Sequence, residues 1–351
     1  MKRARQLSHV ARVATSMLPA LLAAPSSDAS EWSSRRTAVA TPHAASQGVG
    51  KAKQQHLRVD DRLGDLLHHP ALTGFSRLML PWDARTYDES MPLKDMAQLL
   101  PYHEHIEPDV VVSGLNRVID ESAAGRAVFH NIYADAERLA KPALQDTGLF
   151  FLRGTPGAPF ALIAPGGGFS YVGSVHEGFP YADEITQRGF NAFVLKYRVG
   201  QGGRIATEDM AAALSYVFAH AEKLQVSTRH YSLWGSSAGA RMAAAIGSHG
   251  TATFGQSAVP RPSAVVTAYT GHTDVAAQEP PTFVVVGELD GIAPPAAMEA
   301  RIAALQRTGT RVEYHRYPDV GHGFGTGQGT RAQGWIGEAV RFWEQEIKTS
   351  R

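Results

Sequence analysis

From about residue 150 onward the chain alternates between short apolar runs and stretches whose apolar residues recur every three or four positions. Apolar runs bounded by Gly, Pro or polar residues read as strands buried on both faces, and the 3.6-residue spacing reads as amphipathic helix. Strands are predicted at Phe160–Ala164, Ala192–Tyr197, Tyr231–Trp234, Ala264–Ala268, Phe283–Val286 and Arg311–Tyr317. Helices are predicted between them at Phe179–Arg188, Ala240–Gly247, Pro294–Thr308 and Trp335–Ile347. A further helix starts from a Thr207 cap and carries Met210, Leu214, Val217, Phe218 and Ala221 on one face. Strands alternating with helices predict an α/β protein with a mainly parallel central sheet and helices on both faces.

Before this region the pattern weakens. Residues 59–146 hold short helical patterns, such as Asp109 to Glu121, separated by loops containing Pro81, Pro92, Pro101 and Pro108. They read as a mostly helical N-terminal extension that packs against or partly caps a catalytic domain at 147–351. Residues 1–58 show no sustained period and carry nine Lys/Arg against Asp28 and Glu31, the pattern of a disordered leader. Lys2, Arg3, Arg5 and Arg12 precede the mildly apolar Val13–Ala24, and Ser27-Asp28-Ala29 offers small residues for cleavage. That is the layout of a secretory signal peptide, although Pro19 interrupts it. Export to the periplasm or medium and retention in the cytoplasm both stay open.

Composition removes several function classes. With 44% hydrophobic and 19% charged residues, the 351-residue chain supports a sizeable core. A net charge of +1 gives no general field for nucleic acid. The absence of cysteine excludes a disulfide framework, a thiolate nucleophile and Cys-ligated zinc. No apolar run is long enough for an ordinary membrane-spanning helix. His68-His69 and His103-Glu104-His105 lack the i, i+4 histidine spacing of helical metal sites. Gly48-Val-Gly-Lys51 lacks the Ser/Thr and preceding strand of a phosphate loop, and the Gly200–Gly203 cluster lacks dinucleotide spacing. Neither a metal nor an organic cofactor is expected.

The chemistry is carried by Gly235-Ser-Ser237-Ala-Gly239, a G-x-S-x-G motif between a predicted strand and a predicted helix. Small flanking residues let the chain turn sharply, which exposes a serine hydroxyl beside a helix N-terminus. A serine hydroxyl needs a base to become a good nucleophile, and the base needs an orienting partner. Asp290 follows the Phe283–Val286 strand, and His322 lies among glycines after the next one. Ser237, Asp290 and His322 thus stand in the order Ser…Asp…His. Asp274 competes for the acid role and His272 for the base, but both come early; Asp319 is too near His322 in sequence. Pro165-Gly-Gly-Gly-Phe169 follows the first predicted strand, where backbone N–H groups can meet a developing oxyanion. Gly167, Gly168 and Ala238 are the expected donors. Phe169, Tyr171, His176 and His272 are candidate substrate contacts.

These motifs resemble those of α/β-hydrolase serine esterases, specifically the acetyl esterase and carbohydrate esterase-like group related to the hormone-sensitive-lipase type. The residues that carry it are Pro165-Gly-Gly-Gly-Phe-Ser170, Gly235–Gly239, Glu288-Leu-Asp290-Gly and Gly321-His322-Gly-Phe. The resemblance implies an α/β-hydrolase fold, Ser237 as nucleophile, His322 as base, Asp290 as its orienter and the glycine loop as oxyanion hole. Pro165 stands where the lipase-type loop begins with His, and Ser236 where the elbow carries a bulkier or acidic residue. No long insertion follows the core strands after residue 150, so a short-chain, acetyl-type ester is expected, with an acylated carbohydrate as one alcohol side. Amide or peptide hydrolysis, acyl transfer with the same triad, and a non-catalytic binding protein are the alternatives.

Overall fold

Continuous apolar runs become strands with both faces covered, and the structure, a computed structural model, describes residues 55–349. The leader and its signal-like layout lie outside the described residues. The strands are β1 (Phe129–His130), β2 (Gly148–Leu152), β3 (Pro159–Ala164), β4 (Asn191–Lys196), β5 (Ser227–Ser236), β6 (Ala264–Ala268), β7 (Thr282–Gly287) and β8 (Val312–Tyr317). The helices are α1 (Leu63–Leu67), α2 (Pro108–Ala123), α3 (Asp135–Ala140), α4 (Phe179–Gln187), α5 (Gly203–Ala219), α6 (Ala221–Leu224), α7 (Ala238–His249), α8 (Pro295–Arg307) and α9 (Trp335–Thr349).

The strands form one sheet in the order β1-β2-β4-β3-β5-β6-β7-β8. From β4 to β8 every neighbouring pair is parallel, whereas β2 runs antiparallel to both β1 and β4. Side chains alternate across the sheet. Ala161, Ile163, Val194 and Phe150 enter one core with residues of α2, α4 and α9, while Phe160, Leu162, Phe193 and Phe151 enter a second with α5 and α7. Burial on both faces explains why the strands read as unbroken apolar runs. Leu57, Leu63, Leu72 and Met96 of the N-terminal segment belong to the first core.

Two local expectations change. The strand pattern begins earlier than residue 160, with β1 inside the 59–146 segment and β2 just after it. Thr207 does not cap α5. The helix begins at Gly203, preceded by Gly202 at φ 84, and the Thr207 hydroxyl donates to the Gly203 carbonyl at 2.7 Å. Threonine within a helix satisfies its hydroxyl on the carbonyl four residues back, so a Thr before an apolar face can sit a turn inside.

The parallel strands all point the same way, so the loops after β3, β5, β6, β7 and β8 emerge at one edge of the sheet. In open α/β sheets that edge is where ligands bind.

Candidate active site

Ser237 sits between β5 and α7 with φ 49 and ψ −112, a conformation that bulky residues adopt only under constraint. The constraint comes from its flanking glycines. A side chain on Gly235 would overlap the Gly239 carbonyl, and one on Gly239 would overlap the Ala164 carbonyl of β3. The turn is therefore folded tightly on itself and against the end of β3, with the serine half-buried between β5 and α7.

The structure brings the three motif residues together. His322 Nε2 is 2.9 Å from Ser237 Oγ, and His322 Nδ1 is 2.8 Å from Asp290 Oδ2. With Nδ1–H donating to the carboxylate, Nε2 is free to accept the serine proton. The other oxygen of Asp290 accepts backbone N–H bonds from Ile292 at 2.9 Å and Ala293 at 2.6 Å. His322 and Asp290 are both buried. The competing carboxylates face elsewhere: Asp274 bonds His249 at 2.6 Å, and Asp319 lies 3.5 Å from Arg331 on the surface.

The glycine loop after β3 packs directly on this turn. A side chain on Gly166 would come within 3.1 Å of Ser237 Cβ. The Gly166 N–H is already bound, to Glu177 Oε2 at 2.5 Å. Among the described residues, the N–H groups of Gly167, Gly168 and Ala238 have no acceptor. Unpaired N–H groups beside a nucleophile can receive an incoming oxygen.

The four candidate substrate contacts divide. Phe169 is half-buried, with the Arg241 guanidinium 5.9 Å from its ring centroid. Tyr171 and His176 are buried in the wall instead: the Tyr171 hydroxyl meets His103 Nδ1 at 2.8 Å, and His176 Nε2 meets the Gly323 carbonyl at 2.9 Å. Their polar atoms are engaged by protein because an apolar wall cannot leave them unpaired. Burial, with the His103 charge adding to it, pushes His176 down to about 4. His272 is half-buried near Arg301 and Met298; burial and the Arg301 charge push it down to about 4.

Sequence reasoning missed Glu177, which is fully buried beside the loop. Burial alone would raise its carboxyl, but His103, His176 and the Tyr269 hydroxyl outweigh that and hold it at about 2. His103 was weighed only as a metal ligand. The surrounding Val172-Gly-Ser-Val-His-Glu-Gly178 mixes apolar, polar and glycine positions, and nothing in it marks Glu177 as a buried acid.

The comparisons with known proteins agree with this fold. Residues 155–260 match the BD-FAE family and residues 265–350 the prolyl oligopeptidase family. An acetylxylan esterase of Xylanibacter ruminicola is 29% identical over 97 residues, 27% of this chain and 20% of that protein. The chain thus matches about a fifth of the length of that curated relative. Among solved structures, the α/β hydrolase MGS-M1 from a Medee basin deep-sea metagenome library has a TM-score of 0.51 at 24% identity, covering 57% of this chain and 93% of that one. The acetyl ester-xyloside bifunctional hydrolase of Caldicellulosiruptor lactoaceticus has a TM-score of 0.54 at 20% identity, covering 62% and 95%. The propionate-bound esterase Est2 of Thermogutta terrifontis has a TM-score of 0.51 at 20% identity, covering 57% and 89%. The chain has the α/β-hydrolase fold. It is similar to esterases.

Proposed function

We propose that this protein hydrolyses short-chain carboxylic esters through an acyl-enzyme. The observation that carries this reading is the unbroken hydrogen-bonded chain from Ser237 through His322 to Asp290, beside three unpaired N–H groups. Ser237 Oγ attacks the ester carbonyl while His322 Nε2 takes its proton. The carbonyl oxygen becomes an oxyanion held by the N–H groups of Gly167, Gly168 and Ala238. Asp290 stabilises the imidazolium and keeps the ring in place. His322 then protonates the departing alcohol, leaving an ester on Ser237. Water enters, gives its proton to His322, attacks the acyl carbon and restores the serine with release of the acid. These steps use only side chains, backbone and water.

The closeness of the N-terminal segment to the glycine loop supports the short acyl chain. A side chain on Gly168 would come within 3.0 Å of the Tyr102 ring, so the N-terminal segment stands against the oxyanion loop. The names of the similar proteins point to acetyl and propionyl groups, and to acylated sugars on the alcohol side. A fluorophosphonate label on Ser237 and kcat/KM for p-nitrophenyl esters from acetate to palmitate test the proposal. The expected maximum lies between acetate and butyrate, and a maximum at octanoate or beyond would overturn the short-chain part. The prolyl oligopeptidase match favours peptide cleavage as the second reading. It requires an anilide to be cleaved at least as fast as the ester of the same acyl group.

A further inference from the structure

Beneath the glycine loop lies a second polar assembly that the acyl-transfer steps leave untouched. Its centre is Glu177, in the single π-turn Ser174–Gly178, and its partners come from three different walls of the site. Oε2 accepts the Gly166 N–H of the oxyanion loop at 2.5 Å. Oε1 accepts the hydroxyl of Tyr269, just past β6, at 2.7 Å, and the Tyr269 ring stands edge-on to His322 at 5.1 Å. His103 Nε2, from the N-terminal segment, lies 3.0 Å from Oε1, close enough for an ion pair though not aligned as a hydrogen bond. Tyr181 extends the assembly, reaching Tyr269 at 3.0 Å, Ser236 Oγ at 3.1 Å and the Gly325 carbonyl at 3.1 Å.

The glycine loop needs such an anchor. Three successive glycines can adopt many backbone conformations, and a donor array that must be ordered during each turnover loses much of its advantage. One residue of the loop is held by a group that cannot move: Glu177 is fully buried and its neighbours are packed around it. A bare carboxylate there would oppose the charge that develops on the ester oxygen. The His103 side chain, only 2% exposed, stands 3.0 Å from it and balances it when protonated. The same segment braces the loop from above, because the Tyr102 ring lies on Gly168. It also braces the base, because the Glu104 N–H donates to the Gly323 carbonyl at 3.2 Å.

We propose that Glu177, paired with His103, is a positioning residue for the oxyanion loop: by fixing the Gly166 N–H it turns the N–H groups of Gly167 and Gly168 toward the ester oxygen. The role rests on the ester-hydrolase reading above. It also makes residues 102–104 a working part of the site, since they supply the counter-charge and cover the loop.

The test uses the full chain with Glu177→Gln, which keeps the side-chain shape and removes the charge. Turnover of p-nitrophenyl acetate is measured with inhibition by an alkyl trifluoromethyl ketone, whose serine adduct presents an oxyanion to the loop. The variant should remain folded by circular dichroism and lose about 10- to 100-fold in kcat with KM changed by less than about threefold. Its affinity for the ketone should fall by the same factor as kcat. A merely structural Glu177 would lower the melting temperature without this split. Unchanged kcat and ketone affinity in folded Glu177→Gln would overturn the inference. Where that variant fails to fold, His103→Gln reads the same split, because it leaves the carboxylate and removes its counter-charge; unchanged values there would overturn it equally. Wild-type chain without turnover, or turnover that survives Ser237→Ala, would instead sink the ester-hydrolase reading.

Discussion

Two polar chains end side by side at the turn after β5, one on Ser237 and the other on Ser236, and they keep their charge in opposite ways. The Ser237–His322–Asp290 chain reaches solvent at the serine and links a hydroxyl, an imidazole and a carboxylate, which in the proposed reaction pass a proton back and forth. Asp290 is braced by two backbone N–H groups, so the moving part is confined to the histidine and the hydroxyl. The Glu177 assembly is closed instead. Its carboxylate meets Gly166, Tyr269 and His103 with nothing exposed to water. A buried charge of that kind is tolerated only when it is fully paired, and once paired it resists displacement. One chain is therefore suited to transferring charge and the other to holding geometry.

Cutting the first chain at its nucleophile should have the largest effect. Ser237→Ala is expected to lower kcat by about 10⁴- to 10⁶-fold with an unchanged melting curve, because triad members act as a unit. Near-normal esterase activity in that purified variant would refute the mechanism. Asp290→Asn should cost about 10²- to 10⁴-fold by releasing the imidazole orientation. Asp274→Asn, whose carboxylate only meets surface His249, should stay within about threefold. The reverse ranking would reassign the acid.

The smallest effect is on acid stability, where the closed Glu177 assembly and the buried histidines outside the Ser237 chain lose their contributions in different pH windows. His130, His176 and His272 are each pushed down to about 4, chiefly by burial, from an ordinary value of 6.5. The unfolded chain then binds protons first, so stability that is full above pH 6.5 is lost as pH falls through 6.5 toward 4. Glu177, held at about 2 against an ordinary 4.5, keeps its contribution above pH 4.5 and loses it as pH falls toward 2. Melting temperatures measured from pH 7 down should fall in the first window and steepen below 4.5. A flat profile across both would contradict the burial of these groups.

The parallel sheet and the triad geometry were legible because their signals are local. Apolar runs such as Phe283–Val286 declare a two-faced strand, and Gly235–Gly239 declares a tight turn through residues adjacent in sequence. β2 escapes the sequence reading although Leu149-Phe-Phe-Leu152 is apolar, because a regular alternation beginning at about residue 150 starts inside it. The two-residue β1 is too short to leave a period. Tyr171 and His176 read as pocket residues because aromatic and polar side chains after an oxyanion loop could face either way. Only the position of the N-terminal segment decides it. The Glu177–His103 pair left no trace, since no spacing rule links a histidine in a proline-rich loop to a glutamate on another element.

That pairing also bears on the order in which the molecule is made. The contacts that finish the site close loops of 68, 92 and 147 residues, joining Tyr171 to His103, Tyr269 to Glu177 and His176 to Gly323. Closing long loops is an entropic cost met before the contacts reward it, and non-local contacts slow folding. Residues 102–104 leave a ribosome early, yet they must wait for the loop at residues 321–325 before their seat exists. Secondary structure should thus be regained on refolding before turnover is, with a lag in which the sheet is complete and the chain is still unable to cleave an ester.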